Sequence, residues 1–454
     1  MKITGDEMTR LFGTDGVRGI ANKKLTPKLC YDIGRAAAYV LANGKKGKVL
    51  VGRDTRLSGD LVESSLVAGF MSIGLDVDLA GVIPTPGVAY LTRTGDYLCG
   101  VSISASHNPY EHNGIKFFSS EGLKLDDEVE DEIEEKILST TKIYKDVTGE
   151  EIGRLNRSPE FTQKYVDYLK NLVDLDFSDF EVAVDAGNGA QCHIAEEVLK
   201  SYGAKVKIIN NEPNGMNIND ACGSTNPNLI QELVKKEGAD IGMSFDGDAD
   251  RIIAVDEEGN IVDGDHILAI VATYLKEDGR LKNNAAVGTI MSNMGLKKYL
   301  EKIDVDFIET KVGDRYILEK MLSDDYVIGA EQSGHVIFLD HNTTGDGLAT
   351  GIHLLEIMKK TGKKLSELNK LMRNYPQVLK NARVREDLKN KYQDFPEIMD
   401  AIREVEENYH GSGRVVIRPS GTEALVRVMI EGEDQDKLSS DADKLVKLIE
   451  DKLN

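Results

Sequence analysis

The sequence predicts a multidomain protein with three α/β domains followed by a smaller C-terminal α+β domain. The chain has 454 residues, too many for one hydrophobic core and typical of three or four domains. Over most of its length, short apolar runs of strand type alternate with amphipathic helical segments. This alternation indicates parallel, doubly wound layers. The residues after Asn374 depart from it and favour a small α+β segment.

The domain boundaries follow from breaks in this alternation. A polar, unpatterned stretch between Gly149 and Pro159 is a candidate link, and a proline interrupts the chain between Asn374 and Gln377. We therefore expect four domains: 1–156, 157–258, 259–373 and 374–454.

The composition excludes several classes of partner. The net charge of −21 argues against nucleic acid, whose phosphate backbone needs a cationic protein face. No apolar stretch approaches the ~18 residues that a membrane span requires. The first ten residues lack the apolar run of a secretory signal, and the four cysteines are widely spaced. We expect a cytoplasmic protein with reduced thiols and no membrane partner.

The first domain opens with a glycine-rich loop, LFGTDGVRGI, in which Arg18 lies between two glycines. Such a loop can bring backbone N–H groups and a guanidinium to an anion, although a plain tight turn explains it equally well. Strand and helix patterns then alternate along the chain: helix Pro27–Ala42, strand Val49–Val51, helix Leu61–Ile73 and strand Val77–Val82.

The next strand pattern, Cys99–Ile103, ends in the loop Ser-Ala-Ser-His-Asn-Pro. Asn and Pro favour a turn, and small side chains let the backbone bend sharply. We expect Ser106 to be exposed at the tip of this loop, where a rigid turn can present a nucleophile or a phosphate carrier. The alternative is that Ser104, Ser106 and Asn108 only satisfy backbone groups within the turn.

Beyond this loop, Asp126–Ile137 has the pattern of a solvated acidic surface helix. In the second domain, the strand Ala239–Phe245 runs directly into DGDADR. Asp246, Asp248 and Asp250 alternate on this strand exit, and carboxylates gathered so closely repel one another unless a cation is present. Oxygen ligands favour a hard cation, magnesium or otherwise manganese or calcium.

An EF-hand loop is the rival interpretation of DGDADR, because its carboxylates fall at EF-hand positions. However, Arg251 occupies the position at which that loop requires glycine, and the flanking patterns are strands.

Two further loops carry polar groups suited to a sugar phosphate. In GAEQSGH, Glu331 and Ser333 can bond neighbouring sugar hydroxyls and His335 can donate to an oxygen, although a polar hairpin turn has the same composition. In RPSGT, Arg418 supplies a bidentate fork, Ser420 and Thr422 supply hydroxyls, and Gly421 lets backbone N–H groups face an anion. Arg427 adds a second cation, and a helix-capping turn is the alternative.

Together these loops resemble the signature loops of the α-D-phosphohexomutases, in order and along the whole chain. SASHNP is similar to the family's phosphoserine loop, DGDADR to its metal loop, GAEQSGH to its sugar loop and RPSGT to its phosphate loop. The FGTDGVRG opening, Gln332 and HNTTGDG match the bacterial branch that acts on glucosamine phosphates.

The resemblance implies three topologically similar mixed-sheet domains and a fourth, smaller one around a central cleft. It also implies interconversion of glucosamine 6-phosphate and glucosamine 1-phosphate, with glucosamine 1,6-bisphosphate or a similar compound as intermediate and activator. Glucose and mannose phosphates remain alternative substrates. A metal-dependent sugar phosphatase and a non-enzymatic sensor are alternatives from other classes, and the oligomeric state is left open, a homodimer included.

Residue roles follow from the same resemblance. Ser106 is expected to carry a phosphoryl group and, with Asp246, Asp248 and Asp250, to hold one Mg²⁺. Lys116 and His335 are the candidates for proton transfer at the sugar oxygen, and Arg251 is expected near the phosphoserine. The expected substrate-binding residues are Arg18, Glu331, Gln332, Ser333, Arg418, Ser420, Gly421, Thr422 and Arg427.

Overall fold

The computed structural model describes residues 10–13, 15–139, 144, 147–409, 411–420 and 424–454. The chain divides into two compact units, 1–289 with 308–370, and 290–307 with 371–454. None of the helices formed by these described residues has both the length and the apolar character needed to cross a bilayer.

The first part of the first unit is a six-stranded sheet covered by helices. Its strands are β1 (Val17–Ile20), β2 (Lys48–Arg53), β3 (Asp76–Val82), β4 (Cys99–Ile103), β5 (His112–Ser119) and β6 (Leu155–Arg157). The strand order is β1-β5-β4-β2-β3-β6. Its helices are α1 (Pro27–Ala42), α2 (Gly59–Met71), α3 (Thr85–Thr94) and α4 (Asp127–Leu138).

This sheet is parallel at its centre and antiparallel at one side, at β1 and β5, and is therefore a mixed sheet. Strand β4 pairs in parallel with β2 but antiparallel with β5, and β5 pairs antiparallel with β1. Only the residues of the serine loop separate β4 from β5. A parallel return needs a crossover of a dozen or more residues, so the loop forces an antiparallel pairing.

Helix α1 shows how closely local sequence determines an element here. The Thr26 side chain accepts a hydrogen bond from the Leu29 N–H at 3.2 Å, Pro27 occupies the first turn, and Asn43 ends the helix in the left-handed region at φ 44°. These are the preferred capping residues, and the predicted bounds are confirmed. Helix α3, in contrast, was not predicted, because its PTPG start has the composition of a turn.

The second sheet of the first unit carries the aspartate loop. Its strands are β7 (Glu181–Asp185), β8 (Lys205–Ile209), β9 (Ile241–Phe245), β10 (Ile252–Asp256) and β11 (Ile261–Val262), with helices α5 (Glu160–Lys170), α6 (Ala195–Ser201) and α7 (Asn228–Glu237). The strand order is β11-β10-β9-β7-β8. Strand β9 is parallel to β7 and antiparallel to β10.

The third sheet has four strands in the order β13-β12-β14-β15. These strands are β12 (Ala285–Thr289), β13 (Asp306–Thr310), β14 (Ile328–Ala330) and β15 (Val336–Phe338). Strand β14 is parallel to β12 and antiparallel to β15. The helices of this stretch are α8 (Gly264–Glu277), α9 (Met294–Lys302), α10 (Asp314–Asp324), α11 (Gly347–Thr361) and α12 (Leu365–Asn369).

The second unit contains α9 and a three-stranded antiparallel sheet. This sheet has the order β16-β18-β17 and is formed by β16 (Gln377–Arg383), β17 (Arg414–Pro419) and β18 (Leu425–Glu431), with helices α13 (Pro396–Asn408) and α14 (Gln435–Leu453). Short 3₁₀ turns span Gly149–Glu151, Lys282–Asn284 and Lys389–Asp394. Three mixed sheets and a small α+β unit confirm the predicted fold class.

Candidate active site

Ser106 lies at the end of the fully buried strand β4. It is only 1% exposed, so the prediction of an exposed hydroxyl is wrong. The Asn219 side-chain amide donates to the Ser106 carbonyl at 2.9 Å, and the aspartate loop covers the side chain. The Ser106 hydroxyl donates to Asp246 Oδ2 at 2.6 Å. This contact joins the predicted serine loop to the predicted metal loop.

Asp246, Asp248 and Asp250 form a buried carboxylate cluster. Each offers one oxygen, and these oxygens lie within 4.8 Å of one another. The loop runs between strands β9 and β10, so the EF-hand alternative, which requires helices, is wrong. Asp248 Oδ1 is buried and has no hydrogen-bond partner among the described residues. An all-oxygen cluster with an unsatisfied buried acceptor fits a hard divalent cation.

The pKa values in this cluster reflect the repulsion among three neighbouring carboxylates. Burial and the neighbouring Asp250 and Asp248 raise the pKa of Asp246 to about 8. Burial alone would also raise the pKa of Asp250, but Lys116 and His335 outweigh it and lower that pKa below its ordinary value. In the absence of a cation, the cluster thus favours a proton on one of its members.

Lys116 on β5 is the cation closest to this cluster. Its Nζ lies 2.8 Å from Asp248 Oδ2, 3.5 Å from Asp250 Oδ2 and 3.3 Å from Asp15 Oδ2. Burial would lower the pKa of Lys116, but Asp15 and Asp248 outweigh it, so the pKa is raised and the amine stays protonated at neutral pH. Lys116 is therefore suited to donate a proton or to neutralise negative charge.

Arg251 reaches the serine loop through His107. Its Nη1 lies 3.3 Å from His107 Nδ1, which lies 3.4 Å from the Ser106 Oγ. Burial, with Arg251 and Arg18 nearby, lowers the pKa of His107 to about 4. His107 is therefore neutral at physiological pH.

His335 is buried, and both of its ring nitrogens face protein groups. Nε2 accepts a hydrogen bond from the Gly345 N–H at 2.9 Å, and Nδ1 lies 3.7 Å from Asp250 Oδ1. Burial opposes protonation, but Asp250 and Asp314 outweigh it and raise the pKa of His335. Proton transfer at Nε2 would require the Gly345 hydrogen bond to open.

The remaining predicted residues of the first unit are Glu331, Gln332, Ser333 and Arg18. Glu331 Oε1 accepts from the Gly313 N–H at 3.1 Å, and burial raises the Glu331 pKa. Gln332 Nε2 donates to Asp263 Oδ2 at 3.3 Å. The side-chain oxygen Oε1 of the same amide can act as an acceptor. Ser333 is exposed in the same loop. Arg18 pairs with Asp15, the carboxylate that also contacts Lys116.

Sequence reasoning missed three residues that complete a charge network. Lys124 Nζ lies 2.9 Å from Asp15 Oδ1 and 2.7 Å from Asp314 Oδ2, and Asp314 Oδ2 lies 3.6 Å from His335 Nε2. Lys116, through its contacts with Asp15 and Asp250, closes the ring. Sequence reasoning also missed Thr85, whose hydroxyl donates to Asp248 Oδ2 at 2.7 Å. The segment PTPG around Thr85 has the composition of a turn, so no local pattern pointed to a contact with the aspartate loop.

The predicted phosphate loop belongs to the second unit. Arg418 on β17 lies directly opposite Arg427 on β18, and burial together with Arg427 lowers the pKa of Arg418. Ser420 is buried, and its hydroxyl has no hydrogen-bond partner among the described residues. Like charges opposite each other destabilise a sheet, so this pair fits an anion site. Gly421 and Thr422 lie outside the described residues.

The fold and the site together define a multidomain α/β protein with a buried serine held against a candidate divalent-metal site. Four domain models described as phosphoglucomutase/phosphomannomutase match the chain in order: α/β/α domain I at residues 9–143, domain II at 163–259, domain III at 263–375 and the C-terminal domain at 379–448. The chain belongs to this phosphoglucomutase/phosphomannomutase family, the α-D-phosphohexomutases.

Two relatives named phosphoglucosamine mutase are similar to nearly the whole of this chain. The phosphoglucosamine mutase of Alkaliphilus oremlandii is 56% identical over 98% of this chain and 100% of its own length. That of Thermoanaerobacter pseudethanolicus is 54% identical over the same shares of the two chains.

Solved structures show the same fold at lower identity. A phosphoglucomutase/phosphomannomutase family protein from Burkholderia thailandensis matches with a TM-score of 0.82 at 24% identity, over 98% of both chains. The N-acetylphosphoglucosamine mutase of Aspergillus fumigatus, in complex with GlcNAc-6P and magnesium, matches with a TM-score of 0.71 at 18% identity, over 98% of this chain and 96% of that one.

Proposed function

We propose that this chain interconverts glucosamine 6-phosphate and glucosamine 1-phosphate through a phosphorylated Ser106 and a 1,6-bisphosphate intermediate. The relatives called phosphoglucosamine mutase support the substrate. The observation that carries the mechanism is the 2.6 Å contact between the Ser106 hydroxyl and a buried three-carboxylate cluster. A serine in that position can carry a phosphoryl group whose charge a cation then neutralises.

Each of the four predicted segments supplies one part of the proposed site. Residues 1–156 supply the carrier serine, 157–258 the metal ligands, 259–373 the sugar contacts and 374–454 the site for the phosphate that does not react. We assign the sugar hydroxyls to Glu331 and Ser333, and a substrate amine to the carbonyl oxygen of Gln332. Arg18 and the loop of Arg418, Ser420, Gly421, Thr422 and Arg427 are assigned to phosphate.

Phosphoryl transfer from Ser106 breaks the bond between phosphorus and the serine oxygen as a bond to the free sugar hydroxyl forms. The hydroxyl proton passes to neutral His335 at Nε2, after the Gly345 N–H has left that nitrogen. The raised pKa of His335 makes its neutral form a better base. Lys116, which stays protonated, supplies the proton that the serine oxygen regains. The bisphosphate then turns around, and its other phosphoryl group returns to Ser106, with each proton moving in the opposite direction. Arg251 offsets negative charge near the serine.

Asp246, Asp248 and Asp250 would hold one Mg²⁺ together with an oxygen of the phosphorylated Ser106. When bound, this ion neutralises charge on the transferring phosphoryl group. The chain's own contribution is to bury the carboxylates and the serine together, which keeps water from hydrolysing the phosphoserine.

Substrate comparison gives the direct test. We expect kcat/KM for glucosamine 6-phosphate to exceed that for glucose 6-phosphate and mannose 6-phosphate, measured with Mg²⁺ and a trace of bisphosphate. A single substituent is worth about 1–3 kcal/mol, or roughly 5- to 150-fold. Gln332→Met should lower kcat/KM for glucosamine 6-phosphate more than it lowers kcat/KM for glucose 6-phosphate, so the preference for glucosamine should decrease. Equal kcat/KM values for the three sugars would remove the glucosamine assignment and leave the mutase assignment standing.

Ser106→Ala tests the carrier role. We expect it to abolish turnover and the phosphorylated species in an intact-mass spectrum while the protein remains folded. Ser65→Ala is the matched control, since Ser65 bonds only the Leu61 carbonyl of its own helix. Wild-type turnover by Ser106→Ala with added bisphosphate would contradict the carrier role.

Two other activities are distinguished by the same preparation. A metal-dependent phosphatase would release inorganic phosphate in proportion to the substrate consumed. A sensor would bind sugar phosphate without phosphorylation of Ser106.

The proposal also includes a cytoplasmic location, and it leaves the oligomeric state open, a homodimer included. The four cysteines are buried free thiols, as expected of a reducing compartment. Sedimentation velocity measures the oligomeric state directly.

A further inference from the structure

A fully buried arginine is surrounded by the backbone of the serine loop. Arg56 and its partner Asp54 both have 0% exposed side chains. The Arg56 guanidinium donates one hydrogen bond to Asp54 Oδ2 at 2.8 Å. It donates the others to the carbonyl oxygens of three loop residues, Ser106, Asn108 and Pro109, and of His112, the first residue of β5.

These five hydrogen bonds use all five N–H donors of a guanidinium. Four carbonyl dipoles therefore converge on one planar cation, and the loop between β4 and β5 is held by its backbone. A lysine has three donors around a single point and cannot reproduce this planar fork. The arrangement requires an arginine at this position and not merely a positive charge.

Asp54 fixes the arginine and reaches the other side of Ser106. Its Oδ1 accepts from the Arg56 backbone N–H at 3.0 Å, and its Oδ2 also accepts from the Ser104 hydroxyl at 2.6 Å. The Ser104 oxygen in turn accepts from the Ser106 N–H at 2.9 Å. One network thus holds both the N–H and the carbonyl of Ser106. We name Asp54, Arg56 and Ser104 the loop clamp.

Ser106 needs such support because its backbone is in the left-handed region, at φ 52°. Non-glycine residues adopt this region only when the surrounding structure compensates for the cost. This conformation, held on both sides, directs the hydroxyl to Asp246 at 2.6 Å. Without the clamp, the loop would relax and the hydroxyl would leave this position.

We infer that Arg56, held by Asp54, is the positioning residue that fixes Ser106 in its transfer geometry. This inference rests on the proposed function, since it assigns Arg56 to the step in which Ser106 gives and receives a phosphoryl group. Arg56 uses every donor on the protein itself, so it binds no substrate. Its loss therefore lowers kcat and leaves KM nearly unchanged.

Arg56→Lys in the full chain is the first test, because it keeps the buried charge beside Asp54 and removes the planar fork. A misplacement of about 1 Å costs roughly a hundredfold in rate, so we expect kcat to fall by that order. KM for glucosamine 6-phosphate should stay within about threefold, as expected when an interaction acts on the transition state. Ser104→Ala, which removes only the support of the Ser106 N–H, should give a smaller fall in kcat.

Tyr202→Phe is the matched control for lost stability. The Tyr202 hydroxyl is another buried group that holds backbone, donating to the Leu169 carbonyl at 2.6 Å and accepting from the Leu172 N–H at 3.1 Å. Its removal should lower the melting temperature while kcat stays at the wild-type value. A merely structural Arg56 would behave like Tyr202.

Hydrogen exchange of the peptide covering residues 104–112 gives a readout that does not depend on turnover. We expect faster exchange there in Arg56→Lys and in Ser104→Ala, and unchanged exchange in Tyr202→Phe. Wild-type exchange in this peptide, or a wild-type kcat, in folded Arg56→Lys would overturn the inference. Failure of the proposed function would instead appear as absent mutase turnover in the wild-type protein, with the exchange result unaffected.

Discussion

Lys124 Nζ lies 2.7 Å from Asp314 Oδ2, although 190 residues separate them. Lys124 also lies 2.9 Å from Asp15 Oδ1, so one ammonium, on a side chain that is 12% exposed, pairs with two carboxylates. Burial would raise the pKa of Asp314, but Lys124 and His335 outweigh it and lower that pKa. The pair therefore belongs to the charge network that surrounds Lys116 and His335.

Lys124→Met should destabilise the protein strongly. Removing one partner of a fully buried ion pair costs about 3–5 kcal/mol, and an exposed pair contributes about 1 kcal/mol or less. Lys124 and Asp314 are 12% and 21% exposed, so we expect a loss between these two values. Adding Asp314→Asn should restore part of this loss, with a coupling energy of about 0.5–3 kcal/mol in a double-mutant cycle. Chemical denaturation of the four proteins measures both quantities.

Lys320→Met is the control for this cycle. Lys320 pairs with Asp324 at 2.8 Å on helix α10, but both side chains are about two-fifths exposed, at 41% and 39%. An exposed pair contributes little to stability, so the unfolding free energy of this variant should be close to that of the wild type. Equal losses for the two lysine variants would contradict the importance of the buried network.

Asp246→Asn should abolish stabilisation by Mg²⁺ while making the metal-free protein more stable. Burial, together with Asp250 and Asp248, raises the pKa of Asp246 to about 8. The metal-free protein must therefore take up a proton on folding at neutral pH, a cost that an amide does not have. A ligand at a hundred times its Kd stabilises a protein by about 2.7 kcal/mol. Thermal unfolding with EDTA and with Mg²⁺ should show this shift in the wild type and not in the variant.

Asp185→Asn separates this effect from general damage to the same sheet. Asp185 is a buried carboxylate that accepts from the N–H groups of Gly187 and Gly223, outside the aspartate cluster. The Asp185→Asn variant should be less stable than the wild type, but Mg²⁺ should still raise its melting temperature. A wild-type Mg²⁺ shift in Asp246→Asn would exclude this carboxylate as a ligand.

The sequence was sufficient for the parts of the site that lie within one loop. DGDADR predicted three clustered carboxylates because alternate positions on a strand exit bring side chains together, and SASHNP placed Ser106 at the end of a strand. The alternation of patterns likewise located the strands β4 and β9. In each case the evidence is local, so spacing alone carries it.

Contacts between distant segments could not be predicted in this way. Lys124 follows strand β5 and Asp314 begins helix α10, and no spacing rule joins them. Arg56 lies in the GRDTR segment at the exit of β2, where the pattern indicates a loop but not the direction of a side chain. Burial of Ser106 depends on Asn219 and the aspartate loop, which are remote in sequence. These features come from tertiary packing.

Asp346→Asn should flatten the pH dependence of stability between about pH 4 and pH 6. Burial raises the pKa of Asp346 to about 6, while its Oδ1 caps helix α11 by accepting from the Ala349 N–H at 3.0 Å. Because the folded pKa exceeds the unfolded value, this group's contribution is fully present below about pH 4 and is lost as pH rises through 6. The change amounts to about 3 kcal/mol.

Urea denaturation at pH 4, 5, 6 and 7 measures this dependence. Asparagine can still cap the helix but does not titrate in this range. The difference in unfolding free energy between the two proteins should therefore move in favour of Asp346→Asn as pH rises. A constant difference across this range would contradict the raised pKa.

Arg418→Met should weaken substrate use without destabilising the free protein. Arg418 lies opposite Arg427, so its removal relieves repulsion between like charges. A hydrogen bond to a charged group is worth about 1.5–3 kcal/mol, so we expect kcat/KM to fall roughly 10- to 150-fold. Stabilisation by added inorganic phosphate, seen as a rise in melting temperature, should also be lost.

Arg385→Met is the matched control in the same unit. Arg385 pairs with Asp387 at 2.8 Å, and both side chains are mostly exposed, at 59% and 61%. Its removal should leave kcat/KM and the phosphate-induced rise unchanged. If Arg418→Met also keeps both, the facing arginines do not bind phosphate, and the substrate's unreacting phosphate must be held by other residues.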